Sequence, residues 1–478
     1  MNRRMTLYVV GNAVMIESGL MLLPLITALI YKEQCVTDFL ITMAIALASG
    51  FVLRLISKPS IKTIYAKEGF VITALCWFAL SFIGALPFYF SGEIPHFVDA
   101  FFETVSGFTT TGATILTDIE KMSRGLLMWR SFTHWIGGMG VLVFVMAIIP
   151  TFSDRTIHLL RAEVPGPVVG KLVPKAKQTA RILYVIYIGL TLAEIVLLCA
   201  GDMSLFESIV HAVSTAGTGG FGTMNDSAAS YSSYTQIVLT VFMLLFGINF
   251  NLYYFILIKK AKTALKSTEL WTYFGIVAFS TICIFINILP IYEKAGLTLR
   301  NAIFTVSSFI TTTGFTTADF NSWPVLSKTI LFLLMFIGGC AGSTAGGLKV
   351  SRVIMLYKNV KRELHRVLHP RTVGTVRFEG KRVDENTMNS VSSYLTIYVL
   401  FFCLIVFLIG FENFDLETNL SVVATCYNNI GPGFGSASSN LAAYSPFGKL
   451  ILCVAMLLGR LEIYPIILTL SPSTWTKK

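Results

Sequence analysis

The sequence predicts an all-α polytopic membrane protein with ten transmembrane helices and four re-entrant half-helices, arranged as four pseudo-symmetric units behind an extra N-terminal helix pair. Three observations predict it. Across 478 residues, 54% are apolar and only 13% charged, with mean hydropathy +0.70, which excludes an ordinary soluble protein. Ten apolar stretches are each about 20 residues long, enough for a helix to cross a hydrocarbon core of roughly 30 Å. A shorter pattern, a crossing followed by a half-helix, a glycine turn and another crossing, occurs four times.

The crossings fall near residues 8–30, 37–57, 70–90, 127–149, 181–200, 236–258, 272–291, 328–348, 392–410 and 447–470. The first follows MNRRM, but it is too long for a signal-peptide core, contains Glu17 and lacks a small-residue cleavage site before Lys32. It reads as a retained anchor, and with the second crossing it forms the extra pair, residues 1–57. Ten crossings put both termini on one side of the membrane. Of the 37 Lys and Arg residues, 28 lie in the two termini and in the connections on that same side, at 54–67, 155–181, 259–266 and 349–382. Basic loops mark the cytoplasmic side, so both termini are expected there. The net charge of +11 therefore reports topology, and nucleic-acid binding is not expected. Eight cysteines are spread singly with no C-x-x-C, so neither a metal site nor a disulfide framework follows.

The four recurring segments are FFETVSGFTTTGAT from Phe101, LFESIVHAVSTAGTGG from Leu205, AIFTVSSFITTTGFTT from Ala302 and LSVVATCYNNIGPGFG from Leu420. They define units at 68–150, 178–266, 270–360 and 388–478. Each has about ten residues at helical spacing, then Ser, Thr or Asn, then glycine. A half-helix cannot span the bilayer, so it enters and turns back. Irregular backbone at that depth is tolerated only where protein buries it or a water-filled cavity receives it. Four such turns can share one cavity and present carbonyl oxygens in place of an alkali cation's hydration shell.

Aligning Gly112, Gly217, Gly314 and Gly431 places the candidate ion-binding residues at Thr110, Thr111 and Gly112; Thr215, Ala216 and Gly217; Thr312, Thr313 and Gly314; and Asn429, Ile430 and Gly431. On this alignment Gly219, Gly220 and Gly222 are the flexible exit from the second turn. Gly217, Gly219 and Gly222 also satisfy G-x-G-x-x-G, the dinucleotide fingerprint. That motif needs a preceding strand and a β-α-β unit, and here LFESIVHAVS precedes it, so an oxidoreductase is not expected. Asp99, Glu103, Glu207 and Glu417 lie near the outer ends of the half-helices, where they read as helix caps or as attractors of cations.

On these four loops, and on WRSFTHWIGGMG from Trp129, FGINFNLYYF from Phe246 and GGCAGSTAGGLK from Gly338, the chain resembles the ion-conducting subunits of the Trk, Ktr and HKT superfamily of potassium transporters, in their bacterial TrkH form. The resemblance covers essentially the whole chain. It implies a gated, channel-like potassium path with four repeats around one ion pore, in a homodimer in the bacterial inner membrane, surrounded by lipid. It also implies a cytosolic ring of nucleotide-binding regulatory subunits resembling TrkA, potassium as the substrate, no cofactor within the chain and no enzymatic activity. A potassium symporter coupled to protons or sodium is the alternative, but the turns contain no titratable group. Glycine at all four aligned positions favours potassium, since serine at the first of them goes with sodium permeation in some relatives. The basic loops at 155–181 and 349–382 are either a docking surface for the regulator or simply topology signals.

The eighth crossing is interrupted by GGCAGSTAGG, five glycines with no bulky side chain, so a broken helix is expected. The resemblance makes Gly338, Gly339, Gly342, Gly346 and Gly347 a gate loop with Lys349 at its end; close helix contact is the other reading of so many small residues. Arg460 lies inside the tenth crossing, where a charge is costly. It reads either as a structural pair or as a positive barrier beside the pore. Arg130, His134, Glu17 and Glu194 are expected to be structurally paired.

Overall fold

A computed structural model describes residues 2–57, 66–140, 176–372, 374–437 and 440–475. The loop at 155–175 and the predicted end of the fourth crossing, 141–149, lie outside the described residues.

The N-terminal pair is α1 (Arg3–Leu20), α2 (Leu22–Tyr31) and α3 (Val36–Ile56). The first crossing is divided at Met21, just before Pro24, which has no N–H to bond the preceding turn. α1 and α3 meet through Gly11 and Gly50. A Cβ on either would stand within 2.8 Å of the other's carbonyl oxygen, so only glycine permits that approach.

The first unit has α4 (Ala66–Gly84), α5 (Leu86–Phe90), half-helix α6 (Phe97–Phe108) and α7 (Arg124–Gly138). The second has α8 (Ala176–Cys199), half-helix α9 (Leu205–Gly217), α10 (Ser233–Phe246), α11 (Phe250–Leu257) and α12 (Ala261–Leu265). The third has α13 (Thr268–Ile288), half-helix α14 (Ala295–Ile310), α15 (Val325–Ile337) and α16 (Val350–Leu368). A two-stranded hairpin, β1 (Arg377–Phe378) and β2 (Lys381–Arg382), leads into the fourth unit. That unit has α17 (Glu385–Ile409), half-helix α18 (Leu416–Asn428), α19 (Pro446–Arg460), α20 (Tyr464–Leu470) and the short α21 (Pro472–Trp475).

Among the described residues, six helices are long and apolar enough to cross a membrane, or up to eight counting two bent pairs. Their outer faces carry exposed Ile30, Ile56, Val196, Phe279 and Phe407. Such a surface is stable against lipid and not against water, so this is a multi-pass membrane protein.

The expected break after α15 is present, but two crossings expected to be continuous are also broken. α10 and α11 meet at 91° and α19 and α20 at 120°. The causes are local. Asn249 leaves helical geometry and caps α11 by accepting the Asn251 N–H, while Glu462 and Ile463 adopt left-handed backbone at φ 54° and 68°. All four second crossings therefore stop near one level, after 13 to 15 residues.

The acids at the half-helix starts differ from one another. Glu207 forms a capping box with Ser204. Asp99 pairs with Lys449 of α19 at 2.6 Å, and Glu417 with Lys328 at 2.9 Å. Glu103 is neither a cap nor a cation attractor: it is buried mid-helix, 2.6 Å from the Arg130 guanidinium, and accepts from the Thr114 hydroxyl and the Ile115 N–H. That pair braces the chain just beyond the first turn. Arg130 is thus structurally paired, and His134 is too, through the Ser214 hydroxyl at 3.0 Å. Glu17 is buried in apolar surroundings with no hydrogen-bond partner among the described residues.

Removing one member of a buried pair strands the other. Glu103→Leu is expected to cost about 3–5 kcal/mol, and adding Arg130→Met should recover part of it. Thermal unfolding of the two variants in detergent checks this; a double variant less stable than Glu103→Leu would contradict it.

Candidate functional site

The four half-helices end in one backbone device. In each, a carbonyl near the helix end accepts a hydrogen bond from the N–H five residues on: Ser106 from Thr111 at 2.9 Å, Ser214 from Gly219 at 3.0 Å, Ser308 from Thr313 at 2.8 Å and Thr425 from Ile430 at 3.0 Å. The residue inside each loop is left-handed: Thr110, Thr218, Thr312 and Asn429, with φ between 55° and 57°. This is the Schellman ending, which satisfies helix carbonyls otherwise lacking a partner. Asn suits that backbone; threonine, branched at Cβ, holds it only where its surroundings fix it.

Two residues beyond each left-handed residue comes a glycine with positive φ: Gly112 at 78°, Gly220 at 79°, Gly314 at 86° and Gly431 at 107°. A Cβ on Gly112 would fall 1.8 Å from the Gly219 carbonyl oxygen. On Gly220 it would meet Thr313 O at 2.1 Å, on Gly314 Ile430 O at 2.1 Å, and on Gly431 Thr111 O at 2.8 Å. Each turn thus places its carbonyl against the glycine of the turn before it, and the fourth closes on the first. The ring is cyclic, and all four glycines form the base of one cavity of about 320 Å³ that Asp226 and Asp319 also line.

This corrects the second loop by three residues. Thr215, Ala216 and Gly217 belong to the last turn of α9, not to the ring. The equivalents of Thr110, Thr111 and Gly112 are Thr218, Gly219 and Gly220, so Gly219 and Gly220 are part of the ring and not its exit. Gly217 serves packing: its Cα stands 2.7 Å from where a Gly138 Cβ would lie, and its own Cβ would fall 2.2 Å from the His134 carbonyl. The other nine residues, in the first, third and fourth turns, lie in the backbone turns that meet in this ring. The correct register has a signal, Ser or Thr, then Thr or Asn four residues on, then Gly two further, which holds in all four loops and fails at Gly217, where His211 would occupy the first place.

The fourth loop departs in sequence but not in backbone. Asn429 donates to the Thr111 hydroxyl at 3.0 Å and to the Met456 carbonyl at 2.9 Å, tying the fourth turn to the first.

Beneath the ring lies the glycine-rich segment between α15 and α16. The chain leaves α15 at Ile337 and returns at Leu348 and Lys349, whose N–H groups bond Phe336 O at 3.0 Å and Ile337 O at 2.9 Å. The returning strand thus satisfies the helix-end carbonyls, and residues 338–347 form a pinched loop. Gly338, Gly342 and Gly347 take positive φ. Gly339 packs on Ala345, and a Cβ on Gly346 would fall 2.3 Å from Asn428 O. The Gly346 N–H donates to the Thr312 hydroxyl at 2.6 Å, joining this loop to the third turn.

Arg460 is bound to the same loop. Its guanidinium donates to Thr344 O at 2.8 Å and to Gly138 O at 2.7 Å, and also to Gly137 O. Gly137 lies directly under Thr110, since its Cβ would stand 3.2 Å from the Thr110 methyl. Arg460 therefore spans from the pinched loop to the end of α7, just below the ring. Glu462 pairs with Arg352 at 2.6 Å, and the buried Lys349 ammonium donates to Ala345 O.

Chemically, the arrangement offers four backbone oxygens, each set against a neighbouring turn's glycine, with no side-chain charge among the ring residues. The carboxyl ends of four half-helices point at it, each with a partial negative charge of about half an electron. Such a site suits a partly dehydrated monovalent cation.

Comparison with known proteins agrees with that chemistry. Residues 36–477 match the family described as TrkH, cation transport protein. The chain is 37% identical over 479 residues to the Trk system potassium uptake protein TrkH of Salmonella typhimurium, covering 98% of both chains. It is 36% identical over 481 residues to the Trk system potassium uptake protein TrkG of Escherichia coli, covering 99% of this chain and 98% of that one. The crystal structure of the potassium transporter TrkH from Vibrio parahaemolyticus superposes with a TM-score of 0.90 at 32% identity, covering 100% of both chains.

Gly217 and Gly220 should respond differently to a methyl group. Gly217→Ala is expected to lower stability by about 1–3 kcal/mol through overpacking against α7, with ion preference retained in whatever folds. Gly220→Ala should change ion preference. Paired melting and ion-competition measurements check both, and the reverse pattern would restore the alignment on Gly217.

Proposed function

The chain belongs to the TrkH family of cation transport proteins, and from that premise we propose that it conducts potassium passively through one gated pore per chain. The observation that carries the proposal is the cyclic contact of four positive-φ glycines with the carbonyls of neighbouring turns. Thr111, Gly219, Thr313 and Ile430 supply the coordinating oxygens. Gly112, Gly220, Gly314 and Gly431 allow the turns to approach closely enough for one ion to touch all four. The four units 68–150, 178–266, 270–360 and 388–478 act as pseudo-symmetric repeats around that ion, with residues 1–57 packed outside them.

The pinched loop, Gly338 to Gly347 with Lys349 at its end, is the gate. Arg460 holds it through Thr344 O and also places a positive charge beneath the selective ring, so both readings of that residue meet in one position. The protein resides in the inner membrane as a homodimer with cytoplasmic termini. A cytosolic nucleotide-binding subunit governs the loop from the basic cytoplasmic side. The names of the relatives, potassium uptake proteins of the Trk system, support the choice of ion.

Purified protein in liposomes should take up rubidium in exchange for internal potassium, with little uptake of sodium. Gly112→Ser, which forces a side chain onto the Gly219 carbonyl at φ 78°, should erase the preference for potassium over sodium. No cation flux from folded protein would sink the proposal, and reversal potentials that follow pH at fixed potassium would favour coupled transport instead. Arg460→Ala removes the charge and frees the loop; potassium conductance should rise on the order of tenfold, as expected for about 1.4 kcal/mol off the barrier.

A further inference from the structure

Glu269 stands at the start of α13 with its carboxylate buried against the pinched loop. One oxygen accepts two backbone N–H groups, Ala341 at 2.7 Å and Ser351 at 3.1 Å. Ala341 is the fourth residue of the loop and Ser351 the second of α16, so a single carboxylate ties the loop to the helix that follows it. A carboxylate bond to backbone N–H is charge-assisted and stronger than a neutral one. Its loss would leave two donors seeking partners.

Glu269 is positioned from the cytoplasmic hairpin. The turn between β1 and β2 is Glu379–Gly380, both with positive φ, the two-residue turn whose twist matches the flanking strands. The Glu379 carboxylate accepts the Glu269 N–H and the Ser267 hydroxyl, each at 3.0 Å, and so caps α13 from another part of the chain. The hairpin is itself seated: buried Val376 packs with Met355 of α16 and with Met388 and Val391 of α17, and Lys358 donates to the Arg377 carbonyl at 2.8 Å. Arg377, Lys381 and Arg382 are exposed beside the turn.

We propose that Glu379 and Glu269 form a serial latch: the hairpin tip fixes the start of α13, and the Glu269 carboxylate there holds the gate loop in its resting position. This deepens the reading of residues 338–347 as the gate and rests on it. Glu269 and Glu379 are positioning residues, neither touching the ion. A force on the hairpin has two bonded steps to travel before it reaches the loop.

The test is single-channel recording and rubidium flux on the full chain in lipid without any regulator. Glu269→Ala should raise open probability about fivefold or more, at unchanged unitary conductance and unchanged potassium-to-sodium preference. Glu269→Gln keeps an acceptor and should stay near the unsubstituted protein, which separates positioning from mere packing. Glu379→Ala should shift open probability in the same direction, and combined with Glu269→Ala it should add nothing, because the two steps are in series. Unchanged gating in Glu269→Ala, or full additivity in the double variant, would overturn the latch. Should Glu269→Ala not fold, Glu379→Ala on the exposed turn decides alone. Gly346→Ala, which pushes the loop off Asn428, is the control. If it alters gating and the glutamate variants do not, only the latch fails; if none alters gating, the gate reading fails with it.

Discussion

Everything in this fold is arranged around one constraint: four stretches of backbone must come within contact distance of one another in the middle of a membrane. No side chain fits between them, because each glycine's missing Cβ is the place the next turn's carbonyl oxygen occupies. The bilayer forbids unsatisfied polar backbone, so the approach is permitted only if the neighbouring backbone groups are bonded. The Schellman endings do that for the half-helices, and the Glu103–Arg130 pair does it for the chain leaving the first turn. The left-handed threonines follow from the same demand. Thr218 bonds the Gly217 carbonyl at 2.6 Å and Thr312 receives the Gly346 N–H, so hydroxyls that would otherwise be stranded are put to use at two of the three positions.

Below the ring the same logic explains why the second crossings stop. A continuous helix there would run its side chains into the space under the turns. Each unit breaks instead, and each break exposes helix-end carbonyls that must find donors. Arg460 supplies them for Gly137 and Gly138 at the end of α7, the Cys340 N–H bonds Gly247 at the end of α10 at 2.9 Å, and Leu348 and Lys349 supply them at the end of α15. The pinched loop and the arginine are thus parts of one hydrogen-bond system built from all four units. Displacing the loop would strand carbonyls on α10 and α15.

The helical, multi-pass character was legible from hydropathy, since crossing length is imposed by the bilayer, and the fourfold recurrence pointed to the four turns that meet. What failed was register within the second loop. STAGTGG offers several glycines, and counting from the first of them chose Gly217, which is small because α7 lies against it. The deciding information was helical: a bonded carbonyl six residues before the glycine and a left-handed residue two before it, a pattern visible as Ser214, Thr218 and Gly220 once the other loops define it. The bends at Asn249 and at Glu462–Ile463 were not legible, because hydropathy continues smoothly through them and only the geometry of the ring demands the turn. Glu269 was hidden for a related reason. A carboxylate at a helix start reads as a favourable first-turn acid, and nothing local reveals that its partners lie 72 and 82 residues further on.

The placement of charge follows from what a conducting path tolerates. The ring residues bear no ionisable side chain, since a fixed carboxylate there would hold a cation too tightly to release it. Charges appear instead one layer out, paired. Glu103 with Arg130 stands behind the first turn, and Asp99 with Lys449 ties α6 to α19 across the closure between first and fourth units. Lys349 and Arg460 are two cations beneath the ring whose head groups donate to backbone carbonyl oxygens. Carbonyl dipoles stabilise a cation without themselves neutralising it, so Lys349 and Arg460 place a positive field at the level of the loop. A potassium ion leaving the ring would meet that field at close range. On the proposed reading of residues 338–347 as the gate, moving the loop changes the steric and the electrostatic barrier at once, because Arg460, which binds the loop, also carries the charge.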